Sequence, residues 1–305
     1  MRSKDFLTIR GFTSEELRRC LTLAAEVKRC PHRFGTALEG KTLALIFEKP
    51  SLRTRVSFDV GIQQLGGYSV CLLPSEIQLG TRESIADVGR NLERMVQAIM
   101  IRTFGHDVAE QLAAAARIPV INGLTEFSHP CQALADYLTL FEHRGRLDGL
   151  KLAYVGDGNN VANSLIFAGA RFGVNVAVAS PPGYEPREDV VTWARDAGTH
   201  AGCTCEVTND PFEAVHDADA VYTDVWASMG QEAEAASRSA IFRPYQVNAR
   251  LMESAKADAL FMHCLPAHRG DEVTDETLES YASVVFDQAE NRLHAQKAVM
   301  LLLMQ

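Results

Sequence analysis

Short apolar runs rich in β-branched residues alternate with longer stretches of helical spacing, which predicts an α/β protein of two doubly wound parallel-sheet domains joined by interdomain helices. The 305 residues exceed what one hydrophobic core usually serves, so two domains of roughly 150 residues each are expected. A hydrophobic content of 47% is enough to fill both cores.

In the first half the strand candidates are TLALIF at 42–47, YSVCLL at 68–73, QAIMIR at 97–102 and IPVING at 118–123. Phe58, Ile62 and Leu65 recur at helical spacing after Ser51, and Gly66-Gly67 stop that helix. A second helix is expected from about Ser84 to Met95. A third starts at Pro130, in the favoured first-turn position, runs through CQALADYLTLFEH and ends near Gly145. The second half restarts with strand candidates KLAYVGDG at 151–158, VNVAVAS at 174–180, DAVYTDV at 219–225, ALFMHCL at 259–265 and SVVFDQ at 283–288. The final segment, AENRLHAQKAVMLLLMQ, places Leu293, Ala298 and Leu301 at helical spacing and is expected to pack back on the first domain. The expected division is therefore 1–145, completed by 288–305, and 146–287.

Net charge of −9 and a pI near 5.5 argue against a nucleic-acid partner or an anionic membrane surface, which call for clustered cations. Seven scattered cysteines, an odd number, fit a reducing cytoplasm better than a disulfide framework, and Cys203 and Cys205 lack a second pair at zinc spacing. MRSKDFLTIRGF has no apolar signal core, and no run approaches the roughly 18 apolar residues of a membrane span. A cytoplasmic location is expected.

Ligands of open parallel sheets bind beyond the carboxyl ends of the strands. The unusual polar residues gather there: Ser51 to Arg55, Arg102, His129, Asn160, Asp224 and the stretch His263 to Pro266. In SLRTR, two arginines oppose the positive end of a helix by roughly 0.3–1 kcal/mol each, and an anion reverses that sign. Ser51 as a cap, the free N–H groups, the Thr54 hydroxyl and the planar forks of Arg53 and Arg55 make a phosphate cradle. The bland alternative is a capped helix whose arginines are solvated or paired with Glu48 and Asp59. Arg102 ends an apolar strand, and EFSHPCQALAD supplies His129 and Gln132 as donors at a helix start.

YVGDGNN resembles the start of a dinucleotide fingerprint, but Val161 occupies the third glycine position, which disfavours a nicotinamide cofactor. Asn160 and Asn163 then read as helix N-terminal residues or as donors to a ligand carboxylate. DVWASMGQE puts Asp224 at a strand end and Ser228, Met229 and Gly230 in a loop able to fold over a ligand. HCLPAHRGDEVTDE places Cys264 and the stiff Leu265-Pro266 at another strand end, where a strand cysteine is most often an inert thiol. His263 and His268, five residues apart on no expected helix, do not read as a metal pair.

With S-x-R-T-R, HPCQ and HCLP in this order, the sequence resembles the aspartate/ornithine carbamoyltransferase family over essentially its whole length. DVWASMGQE looks like the ornithine-binding D-x-x-x-S-M-G motif that aspartate-using members lack. The resemblance implies a carbamoyl-phosphate domain at 1–145 with 288–305, an ornithine domain at 146–287, and a homotrimer without metal or organic cofactor. It implies transfer of a carbamoyl group from carbamoyl phosphate to the δ-amine of L-ornithine, giving citrulline and phosphate, in arginine biosynthesis or its catabolic counterpart.

Carried over by residue, carbamoyl phosphate meets Ser51, Leu52, Arg53, Thr54, Arg102, His129, Gln132, Cys264, Leu265 and Arg292, with Gln78 of SEIQLG arriving from a neighbouring subunit. Leu52 stands where the family usually has Thr, so its contact is expected from the backbone N–H. Ornithine meets Asn160, Asp224, Ser228 and Met229. The catalytic set implied is Arg102, His129, Cys264 and Asp224.

Overall fold

The computed structural model describes residues 3–227 and 235–305. Two compact units divide the chain: Met1–Leu138 with Glu290–Gln305, and Thr139–Ala289.

In the first unit the chain runs through α1 (Ser14–Arg29), β1 (Thr42–Phe47), α2 (Arg53–Gln64), β2 (Tyr68–Leu72), α3 (Pro74–Ile77), α4 (Ile85–Leu92), β3 (Ala98–Arg102), α5 (His106–Ala115) and β4 (Val120–Leu124) into α6 (Pro130–Arg144). The strands form one parallel sheet in the order β2-β1-β3-β4. Alternate residues of the central strands, Ala44 and Ile46 with Ile99 and Ile101, pack on Val88, Leu112 and Ala116 from the α4 and α5 region. The chain leaves β1 toward β2 on one side and later reaches β3 on the other, so strand order reverses between β1 and β3. That is where a crevice opens at the carboxyl ends. Register pairs Phe47 with Arg102, and Glu48 N–H donates to the Arg102 carbonyl at 2.8 Å. SLRTR and Arg102 therefore emerge side by side.

The second unit contains β5 (Lys151–Val155), α7 (Asn160–Phe172), β6 (Asn175–Ala179), α8 (Glu188–Ala201), β7 (Cys205–Thr208), α9 (Pro211–Val215), β8 (Ala220–Thr223), α10 (Ala235–Phe242), α11 (Ala249–Met252), β9 (Leu260–His263), α12 (Asp275–Leu278) and the start of α13 (Val285–Met304). Its parallel sheet has the order β7-β6-β5-β8-β9, with the reversal between β5 and β8. Ala153, Val155, Ala177, Val221 and Phe261 build a core with Val215, Val247 and Leu251. The loops carrying Asn160 and Asp224 flank this second reversal.

Two segments differ from expectation. SVVFDQ at 283–288 is not a strand: Ser283 makes a single bridge to Phe261, and Gln288 N–H already donates to the Val284 carbonyl as α13 begins. β7 was not foreseen because CEVT buries only one face at the sheet edge. No helix among the described residues is long and apolar enough to cross a membrane.

Gly158 explains the glycines of YVGDGNN without a nucleotide. Its backbone N–H donates to the Tyr184 carbonyl at 2.8 Å, and an added Cβ would lie 2.2 Å from Pro186 N. The close backbone approach that glycine permits is made to the protein's own chain.

Candidate active site

At the first strand-order reversal, α2 begins at Arg53, with Leu52 at its N-cap, and the Ser51 hydroxyl accepts the Thr54 N–H at 3.1 Å. This turns the Thr54 side chain inward, where it is buried. Its Oγ1 accepts from Arg102 Nη1 at 3.3 Å and from Arg292 Nη2 at 3.0 Å. Arg292 Nη1 also donates to Gln132 Oε1 at 2.6 Å, and Gln132 Nε2 donates to Asp136 Oδ1 at 2.8 Å. Residues from α2, β3, α6 and α13 thus close one hydrogen-bonded group, and Thr54, Arg102, Gln132 and Arg292 are all buried in it. Two guanidiniums turned onto one neutral hydroxyl concentrate positive charge in a low-dielectric place, which an anionic ligand relieves.

His129, immediately before α6, lies in the same field. Burial first, then the charges of Arg292, Arg102 and Arg53, hold its pKa well below the ordinary 6.5. It is therefore neutral at working pH and offers an N–H without adding charge.

Arg55 is exposed rather than turned into this group. It lines a cavity of 540 Å³ with Lys49, Ser51, Leu52, Leu73 and Pro74. Leu52 is also exposed, so its side chain contributes nothing to the buried group. Gln78 ends α3 in the left-handed region (φ 43°), exposed, with no side-chain hydrogen bond to the arginine group among the described residues.

At the second reversal, Asp224 follows β8 and Cys264 follows β9. Cys264 Sγ donates to Asp224 Oδ1 at 2.9 Å, and Val225 N–H donates to the same oxygen at 2.8 Å. The other oxygen accepts from Asn159 Nδ2 at 2.8 Å. A carboxylate held entirely by donors is a fixed negative charge suited to an amine. Leu265 sits at φ 59°, and its N–H donates to His263 Nδ1 at 2.8 Å, which leaves His263 Nε2 as the donor toward Glu272 Oε1 at 3.1 Å. A left-handed Leu is strained, and this buried pair pins it.

Asp224, His263 and Cys264 bring ligand-type atoms within 4.8 Å of one another. Both His263 nitrogens and both Asp224 oxygens are committed to the hydrogen bonds just described, which makes this a poor cage for a metal. Asn160 opens α7, its carbonyl accepting the Ser164 hydroxyl at 2.8 Å. Ser228 and Met229 lie outside the described residues.

Two contributors escaped the sequence reading. Asn159, not Asn160, caps α7 and reaches Asp224; an Asn directly before an apolar helical run is the signal that identifies a cap. Arg238 of α10 is buried, donates to the Trp226 carbonyl and to Asp157, and lies over the Tyr184 ring at 4.8 Å. It ties the segment after Asp224 to the segment before Asn159, and no local motif marks it.

Comparison with known proteins identifies the family of both units. Residues 4–142 match the family described as aspartate/ornithine carbamoyltransferase, carbamoyl-P binding domain, and residues 148–303 match its Asp/Orn binding domain. An ornithine carbamoyltransferase of Thermococcus kodakarensis is 58% identical over 306 residues, covering 99% of this chain and 96% of that protein. One from Anoxybacillus flavithermus is 56% identical over 306 residues, with 100% and 98% covered. The solved structure of ornithine carbamoyltransferase from Pyrococcus furiosus superposes with a TM-score of 0.96 at 55% identity, over 98% of this chain and 96% of that one. With both domain patterns matched and such relatives aligned end to end, the chain belongs to the aspartate/ornithine carbamoyltransferase family.

Proposed function

We propose that this protein transfers the carbamoyl group of carbamoyl phosphate to the δ-amine of L-ornithine, forming L-citrulline and phosphate. The observation that carries the reading is the convergence of Arg102 and Arg292 on the Thr54 hydroxyl at the first reversal. Attack by the neutral amine forms a C–N bond and places negative charge on the carbonyl oxygen; the C–O bond then breaks, its electron pair leaves with phosphate, and the proton lost by the amine nitrogen ends on that phosphate. Both developing charges need fixed donors. Arg53, Thr54, Gln132, Arg292 and the backbone N–H groups of Ser51 and Leu52 hold the phosphate, while Arg102, Thr54 and neutral His129 face the carbonyl oxygen.

The second unit holds ornithine in this reading. Asp224, Cys264 and the Leu265 backbone position the δ-amine; Asn160, Ser228 and Met229 grip the amino-acid end. A free δ-ammonium has a pKa near that of Lys, about 10.4, so the site must favour the neutral amine, and desolvation acts in that direction. A cytoplasmic location belongs to the same reading and suits seven free cysteines.

The test is citrulline formation by purified protein with carbamoyl phosphate and ornithine, run beside putrescine, N-acetylornithine and aspartate. Ornithine should be turned over fastest by at least about 10²-fold, since an unpaired buried polar group penalises each analogue. Turnover of another amine in its place refutes the assignment.

Assembly into a homotrimer is part of the proposal. Leu52 at the N-cap and Val56 and Val60 along α2 are 72%, 50% and 37% exposed, and Tyr68 and Val70 on the edge strand β2 are 66% and 40% exposed. Ser69 donates to Asp59, joining helix to strand into one apolar surface that water disfavours. A second copy covers it in this reading, and exposed Gln78 serves the neighbour's phosphate. Val56→Asp combined with Tyr68→Asp should sediment as the 33.5 kDa chain and lose activity, where wild type sediments as three copies. A monomeric, active wild type contradicts the assembly.

A further inference from the structure

Asn159 performs two tasks with one side chain. Its Oδ1 accepts Val161 N–H at 2.9 Å and Ala162 N–H at 3.2 Å, closing the start of α7. The Tyr154 hydroxyl reaches the same oxygen at 3.4 Å. Its Nδ2 donates to Asp224 Oδ2 at 2.8 Å. Turning the amide over would set its NH₂ against two backbone N–H donors, so the cap decides which end faces Asp224.

Tyr154 reinforces that direction. It is fully buried on β5 and stacks on Tyr222 with ring centroids 5.9 Å apart. Burial first, then the charges of Asp224, Asp157, Cys264 and Glu272, push its phenol well above the ordinary range, so it remains a neutral donor.

We propose that Asn159 is a positioning residue for the amine-binding carboxylate: its amide, aimed by the α7 N-terminus and by Tyr154, fixes the orientation of Asp224. The proposal rests on the ornithine reading above. It assigns to an N-cap a role in the reaction that capping alone does not require. Asp224 receives donors on both oxygens, from Asn159 on one and from Cys264 and Val225 on the other. Without Asn159, the Oδ2 side of the carboxylate loses its anchor and the charge meeting the amine is free to turn.

The test uses variants that keep the cap. Asp caps as well as Asn and suits the helix dipole, but Asn159→Asp faces Asp224 with a second carboxylate. Asn159→Ser also caps, and removes the NH₂ without adding charge. Asn159→Ser should retain the wild-type melting temperature, while Asn159→Asp should melt lower because its carboxylate repels Asp224; both should keep the KM for carbamoyl phosphate within about 2-fold, while kcat/KM for ornithine falls about 10–100-fold, more for Asp than for Ser. Tyr154→Phe should lower the same quantity by about 2–5-fold, the scale of a weak neutral hydrogen bond. Wild-type ornithine kinetics in Asn159→Asp and Asn159→Ser reduce Asn159 to a helix cap and overturn the proposal, as does an equal loss toward both substrates. Absence of ornithine turnover in the wild-type control removes the functional reading and this proposal together, so the two failures are told apart in one experiment.

Discussion

Arg102→Ala is expected to lower kcat for citrulline formation by about 10²–10³, the usual cost of removing one donor from a developing oxyanion. The location supports a loss of this size. Arg102 is the last residue of a fully buried strand, reaches Thr54 at 3.3 Å, and lies close enough to His129 to depress its pKa. A guanidinium in that setting acts in low dielectric and needs no reorganisation as the charge appears. The KM for ornithine should change little, because no ornithine-holding group contacts Arg102 in the proposed division of roles. Arg102→Lys keeps a charge but not the planar fork and should recover only part of the rate. Circular dichroism and thermal melting of both variants separate a catalytic loss from misfolding. A near-normal kcat in folded Arg102→Ala removes the oxyanion assignment.

Asp224→Asn should abolish ornithine use more selectively. The substitution leaves the side-chain volume nearly unchanged but replaces one acceptor by a donor and deletes the charge. Asp224 accepts from Cys264, Val225 and Asn159. An amide in its place satisfies Cys264 and Val225 with its oxygen, yet sets its own NH₂ against that of Asn159, or the reverse if it turns. Truncating one partner of a buried, hydrogen-bonded charge pair costs about 2–5 kcal/mol, so kcat/KM for ornithine should fall on the order of 10²–10³ or more. Carbamoyl-phosphate binding should be unaffected, which steady-state kinetics with each substrate varied in turn will read.

Both sheets were legible in the sequence because their central strands are nearly continuous apolar runs, such as TLALIF and AIMIR, a pattern that parallel sheets buried on both faces impose. Legibility failed at the edges and at the last crossover. CEVT carries too few apolar residues to stand out, and SVVFDQ has strand composition but is captured by α13, where Gln288 uses its side-chain oxygen to accept the His263 N–H at 3.0 Å. That contact is tertiary and leaves no local trace. Arg102 could be read directly, since a charge ending a buried strand demands a reason. Arg292 lies in an apolar helix far along the chain, and only the family resemblance pointed to it. Asn159 and Asn160 adjoin in YVGDGNN, and the choice between them turns on which residue has extended backbone before the helix, a distinction of one position that spacing does not resolve. Arg55 shared the SLRTR motif with Arg53, yet helical geometry turns it to the exposed side.

In the proposed function the first unit's arginine group holds carbamoyl phosphate and the second unit's carboxylate holds the amine. Calorimetric titration with phosphonoacetamide, in which a methylene replaces the bridging oxygen and transfer cannot occur, tests it in the absence of ornithine. Binding to Asp224→Asn is expected within about 2-fold of wild type and binding to Arg102→Ala at least about 10-fold weaker, the scale of a lost charge-assisted hydrogen bond. Undiminished binding to Arg102→Ala together with lost binding to Asp224→Asn would contradict it.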